Sequence, residues 1–437
     1  MNRTKPLSWG QLLAILVATC QDLPDQRTGK NSQYTISDAI LGGFGVFFTQ
    51  TPSFLARQRD MQRRKGCNNA RSLFGVEHIP SDPQIRNLLD PIAPEHLRPA
   101  FWTVFERLVA AGEHKDYQSF TGGLLCSLDG TQYFSSTKVH CPQCTVIVKE
   151  TGTRYAHTVL IPALVRPGKA EVLVLEPEFI MPQDGAEKQD CERNAARRWI
   201  ERNALRLAEQ RVTILADDLH CHQPFCELLQ THHLSFILTC KPDSHPTLYE
   251  EVALLAKIGG VTQISDRRWT GQGYESWTYR YVNQVPLRAG AKALAVNWCE
   301  LTIVSEATGE VLYHNAWATN HTLAEPTVRP VVAAGRGRWK IENENNNVLK
   351  NHGYYLEHNY GHGKQYLAAV VVMLILLAFL FHTVLQLCDE RYRRLRAALG
   401  TRKTFFDDIR ALTRYHYFRG WEQLLDFMLA GLELTPG

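Results

Sequence analysis

The run YLAAVVVMLILLAFLFHTVLQLC, Tyr366–Cys388, holds 23 residues without a formal charge. A helix that is apolar all round either crosses a bilayer or lies buried at the centre of a large domain. Arg391, Arg393, Arg394 and Arg396 follow it at once, as a membrane span would have them. His382 and Gln386 inside the run argue the other way, as does the polar, asparagine-rich stretch directly before it. The expectation is a buried core helix and no membrane; a membrane-associated protein is the third reading of the chain. A core helix of this length needs packed layers around it, and 437 residues supply them. A length prior suggests about two to four domains.

Hydrophobic residues at 44% and charged residues at 21% exclude a disordered, low-complexity chain. The net charge is only +4, so basic residues matter where they cluster rather than in sum. The eleven cysteines are an odd number scattered through the chain, and the N-terminal apolar stretch is short and reads as an ordinary helix. Reduced thiols and a cytoplasmic location are expected.

Apolar residues recur at helical spacing in WGQLLAILVATC, DAILGGFGVFF and HLRPAFWTVFERLVAAG, so residues 1–118 read as a helical N-terminal domain. Within it, Arg57–Arg71 carries six basic residues against one aspartate. Arg57, Arg59, Arg63, Arg64 and Lys65 are candidates for phosphate contacts, a solvated helix face being the plainer reading. Strands and helices alternate over 119–244, an α/β pattern. Thr145–Val165 reads as a hairpin around Thr151–Gly152–Thr153, Ala170–Ile180 as a third strand, and Gln189–Gln210 as an amphipathic helix. Residues 245–330 turn β-rich and aromatic, like an insertion. The core resumes over 331–388. Basic amphipathic helices follow over 389–437, suited to DNA binding or dimerisation.

Two aspartates sit at or just past the ends of apolar strands: Asp129 in LLCSLDGTQYF, with Gly130 behind it, and Asp217 in VTILADDLHCH, with Asp218 behind it. In an open α/β sheet, strand ends are where polar side chains emerge and ligands bind. Asp217 directly follows the apolar ILA and is the preferred candidate; Asp218 is left a supporting role. A third carboxylate, Glu342, stands in RWKIENENNNVLKNHGYYLEHNYGHG. On a helix, Arg338, Asn345 and Asn346 share its face. Such a face holds a carboxylate, stays nearly neutral, and offers donors to phosphate or to neighbouring carboxylates. Three hard oxygen ligands suit Mg²⁺ or Mn²⁺, and two such ions about 4 Å apart activate a nucleophile and stabilise the leaving oxygen at a phosphodiester.

With Asp129 in LDGTQYF, Asp217 in ILADDLHCHQPF and Glu342 in RGRWKIENENNNVLKNHGY, the chain resembles the DDE transposases of bacterial insertion sequences, of the cut-and-paste type. The resemblance covers roughly residues 120–385. It implies an α/β, RNase H-like mixed-sheet core interrupted by a β-rich insertion and preceded by a helical domain. It also implies binding to terminal inverted repeats, 3′-end cleavage and strand transfer into target DNA. The partners would be DNA and a second copy of the chain in a synaptic homodimer, at the nucleoid. The family's tyrosine, arginine, glutamate, lysine pattern is matched at Arg338 and Glu342. Its tyrosine position holds Gly335, and the lysine falls one place late, at Lys350. A domesticated or inactive transposase-derived DNA-binding protein, or a stand-alone nuclease, is the second reading. The resemblance also implies an aromatic in the insertion that holds a flipped base; Trp269, Trp277, Trp298 and Trp317 are available, with Trp298 the candidate.

KVHCPQCTV places His140, Cys141 and Cys144 together, half of a structural zinc site. Completion would have to come from His157, from Cys191, or from Cys221 with His222. The plainer reading is a turn with two free thiols. The histidines of LHCHQPFC and EHNYGHG read as DNA contacts or packing rather than as ligands.

Overall fold

The computed structural model describes residues 7–25, 27, 33–150, 152–182 and 189–434. Thr151, expected at a hairpin turn, lies outside them. Among the described residues, eleven strands form one mixed sheet. They are β1 (Leu125–Ser136), β2 (Thr145–Lys149), β3 (Gly152–Val165), β4 (Leu173–Val174), β5 (Glu178–Ile180), β6 (Thr213–Ala216), β7 (Ser235–Thr239), β8 (Thr262–Trp269), β9 (Tyr274–Pro286), β10 (Ala295–Ser305) and β11 (Val311–Thr319). The spatial order is β2-β3-β1-β6-β7-β11-β10-β9-β8, with β4 and β5 also lying along β3. β3 runs antiparallel to β1, whereas β1, β6 and β7 run parallel. The parallel strands β6 and β7 are almost wholly buried, as short continuous apolar runs under helices must be.

The β-rich stretch continues the core sheet. Its last strand, β11, pairs antiparallel with β7 through Trp317, Ala318 and Thr319, so the hairpins extend the core sheet. One expectation changes here: the third strand expected over Ala170–Ile180 is two short pieces, β4 and β5.

The helices before the sheet are α1 (Trp9–Gln21), α2 (Ile36–Phe48), α3 (Phe54–Gln62), α4 (Arg64–Phe74), α5 (Asp82–Leu89) and α6 (Arg98–Ala111). Capping boxes start α1 at Ser8 with Gln11, and α2 at Thr35 with Asp38. Among the strands lie α7 (Glu192–Glu209), α8 (Gln223–Thr231) and α9 (Pro246–Lys257). Then come α10 (Glu325–Arg336), α11 (Asn347–Asn351), α12 (Leu367–Cys388), α13 (Glu390–Ala398), α14 (Arg402–Tyr415) and α15 (Trp421–Gly431).

The long apolar run is α12, and 94% of its most apolar stretch is buried inside the protein. It packs on α2 and β4, so it joins the helical layer to the sheet. Its one imidazole is satisfied on both sides. His382 Nδ1 lies 2.5 Å from the Tyr354 hydroxyl, and Nε2 lies 3.0 Å from the Phe48 carbonyl. The N- and C-terminal helices, expected as separate units, pack together. Asn69 on α4 donates to the carbonyls of Thr413 and His416, each at 2.7 Å, and Trp9 lies 5.1 Å from Trp421, ring to ring.

Candidate functional site

Asp129 is the fifth residue of β1, and the strand runs on beyond it to Ser136. It is therefore in mid-strand and not at a strand end. The parallel register pairs Ser127 with Leu215 on β6. Two residues further, Asp217 leaves the end of β6 level with Asp129, and side chains two apart share a face. The same face is covered by the segment after α10. The Ser127 hydroxyl donates to the Arg338 carbonyl at 3.4 Å. Asp218 points elsewhere. Its Oδ1 accepts from the Lys241 N–H at 2.8 Å and the Ser244 hydroxyl at 2.7 Å, which ties the exit of β6 to that of β7.

The segment carrying Glu342 is not a regular α-helix. A short 3-10 turn, Gly337–Trp339, leads into a π-helical stretch, Ile341–Asn346. Asparagine competes for backbone hydrogen bonds and is a poor α-helix former, so a run of it suits a widened turn; π-turns recur at functional sites. Asn345 Nδ2 donates to Asn346 Oδ1 at 3.0 Å, and Asn346 Nδ2 donates to Asp129 Oδ2 at 2.6 Å. The asparagines hold the carboxylate of Asp129 in place. Arg338 Nη2 pairs with Glu342 Oε1 at 2.6 Å, while Nη1 stands 4.0 Å from Asp129 Oδ1 and is buried without a hydrogen-bond partner.

A fourth carboxylate approaches Asp129 from the other side of β1. Glu192, in the first turn of α7, accepts the Gly130 N–H at 3.2 Å and lies 3.1 Å from His220 Nε2. This explains Gly130: a Cβ there would lie 2.2 Å from Glu192 Oε2. The glycine clears space for a carboxylate and makes no turn. Burial, with Glu192, Glu342 and Asp217 adding like charge, pushes the Asp129 carboxyl up to about 7 against the opposing pull of Arg338. The sequence pattern offered no signal for Glu192 beyond an acidic residue at a helix start.

The donor set on this face is oxygen only, gathered against its own repulsion. That fits a hard divalent cation. Asp129, Asp217 and Glu342 would hold it.

Other expected site residues are dispersed. Arg57 is buried over the Phe74 ring, at 5.2 Å, and is a packing residue; Arg59 on α3, Arg63 between the helices, and Arg64 and Lys65 on α4 are exposed. Asn345 is fully buried and faces Asn346, so it cannot reach phosphate. Lys350 is paired with Glu357 at 2.8 Å. Trp298 is fully buried beneath Tyr249 and presents no ring to a base, whereas Trp269 at the β8–β9 turn is 60% exposed. Gly335 has a steric reason: a Cβ there would lie 2.6 Å from Trp317 Nε1. His140 stacks on Tyr155, while Cys141 and Cys144 meet His157 and His362 instead.

No protein-family model and no curated protein matches the chain.

Proposed function

We propose that the chain is a metal-dependent polynucleotidyl transferase with an RNase H-like core, and that it acts as the DDE transposase of an insertion sequence. One observation carries the reading: Asp129 on β1 lies beside Asp217, at the exit of the adjacent parallel strand β6, and beneath the asparagine-rich turn that bears Glu342. An antiparallel β3–β1 pair beside parallel β1, β6 and β7 supports the RNase H-like assignment. A bound Mg²⁺ or Mn²⁺ supplies Lewis acidity to the attacking hydroxyl and the leaving oxygen of a phosphodiester.

The protein's own groups prepare that site. Asn346 orients Asp129. Arg338, with Nη1 buried and unpartnered, offers a donor to a phosphate oxygen while it holds Glu342. Burial, with Glu192 adding like charge, keeps the Asp129 carboxyl basic enough to exchange its proton for a cation near neutrality. Arg59, Arg63, Arg64 and Lys65 extend a positive surface for the terminal repeats, and a homodimer would hold two ends together.

The test is Mn²⁺-dependent nicking of DNA that carries the element's own ends, with wild type beside Glu342→Gln. Cleavage by wild type alone supports the reading. Equal cleavage by both removes Glu342 from the site. Binding without cleavage by either puts the DNA-binding, domesticated reading ahead.

A further inference from the structure

Away from the carboxylate cluster, the structure gathers two thiols and two imidazoles from three separate segments. Cys141 and Cys144 come from the turn before β2, His157 from β3, and His362 from the loop after α11. One donor atom from each lies within 4.8 Å of every other. We propose that Cys141, Cys144, His157 and His362 bind a structural Zn²⁺ that fastens the β1–β3 hairpin to the loop following the Glu342 segment.

The spacings are those of a tetrahedron around zinc. Bond lengths near 2.3 Å to sulfur and 2.0–2.1 Å to nitrogen imply edges of about 3.6 Å between sulfur and nitrogen, and about 3.3 Å between two nitrogens. The observed distances are 3.5 Å for Cys141 Sγ to His157 Nε2, 3.6 Å for Cys144 Sγ to His157 Nε2, and 3.3 Å for Cys144 Sγ to His362 Nε2. The two Nε2 atoms are 3.1 Å apart. Two thiolates neutralise Zn²⁺, so the loaded site carries no net charge and suits its burial. Cys144 and His157 are 5% and 4% exposed, which leaves no open coordination position of the kind catalysis needs.

The ligands are held from outside. His157 stacks on Tyr133 and His362 lies against Phe134. The loop bearing His362 is pinned by Asp90, whose carboxylate accepts the backbone N–H groups of Lys364, Gln365 and Leu367. A second group, Cys221, Cys240 and His245, offers only three donors. There His245 Nε2 already donates to the Cys221 carbonyl at 2.6 Å.

Metal analysis of purified protein tests this apart from any nuclease activity, so its outcome is independent of the transposase reading. Elemental analysis should find tightly held zinc in wild type, one equivalent less in Cys144→Ser and in His362→Ala, and no loss in His140→Ala or Cys240→Ser. Cobalt-loaded wild type should show tetrahedral visible bands with thiolate charge transfer, which needs no variant to fold. Wild type that takes up neither zinc nor cobalt overturns the proposal. So does full zinc retention in both Cys144→Ser and His362→Ala.

Discussion

Two clusters of side chains suited to holding a metal lie along one face of the sheet, one at Asp129 on β1 and one at His157 on β3, and they are built in opposite ways. At the first, Asp129 accepts from Asn346, Glu342 pairs with Arg338 and Asp217 accepts the Leu219 N–H, and Glu342 is half exposed. At the second, Cys141, Cys144, His157 and His362 crowd their donor atoms within 4.8 Å and are largely buried. A site that must admit substrate keeps its ligands apart and its access open. A site that only holds segments together closes. Electrostatics points the same way: burial first, and the neighbouring carboxylates after it, raise the Asp129 carboxyl to about 7, a cost that a cation or a proton relieves.

The sharpest way to break this comparison is to disable each cluster in turn. Asp129→Asn, Asp217→Asn and Glu342→Gln should each lower Mn²⁺-dependent nicking on the order of 10²-fold or more, a loss typical of removing one transition-state electrostatic group. Their zinc content should stay at the wild-type level. A variant that loses both zinc and activity would mean that the two clusters are one functional unit.

Chelation sharpens it next. Stripping zinc should lower the melting temperature of the whole protein. Where free zinc stood a thousandfold above Kd, the loss is about 4 kcal/mol. Withdrawing Mg²⁺ should shift the melt far less, because the oxygen ligands are placed by hydrogen bonds that need no ion. An equal shift from either metal would remove the distinction.

The pH dependence of stability probes the carboxylate face alone. An unfolded aspartate ionises near 3.8, and Asp129 in the fold near about 7. Between those values the native state holds a proton that the unfolded chain has released. The stability contributed by this group is therefore full below about 4 and lost as pH rises towards 7. Without divalent cations, Asp129→Asn should melt above wild type at pH 8, by on the order of 1–3 kcal/mol, with the gap closing near pH 4. Glu192→Gln should move the same transition to lower pH. A gap independent of pH would mean that the asparagine gains stability by packing and not by removing charge.

The smallest effect separates exposed from buried arginine. Arg63→Ala and Arg64→Ala should each reduce the salt slope of DNA binding by about 1. Arg57→Ala should leave that slope unchanged and lower the melting temperature, since its guanidinium is buried against Phe74.

The amino-acid sequence by itself determined what is local. Apolar periodicity marked α1, α2 and α6. Uncharged length marked α12, and His382 with Gln386 was enough to favour a core helix. Short apolar runs placed Asp217 at the end of β6. Charge and spacing put Arg338 beside Glu342. Each of these depends on neighbours within a few residues, where side-chain pattern and backbone period are directly coupled. Tertiary structure alone decided what is distant. His362 meets Cys144 across 218 residues. Glu192 reaches the Gly130 N–H across 62. The β-rich hairpins join the core sheet because β11 finds the open edge of β7. The terminal helices merge because Asn69 satisfies carbonyls on α14 and beyond it. Spacing along the chain carries no information about such pairs. Strand order and helix docking bring them together, and those follow from which buried polar groups and apolar faces must be matched across the whole molecule.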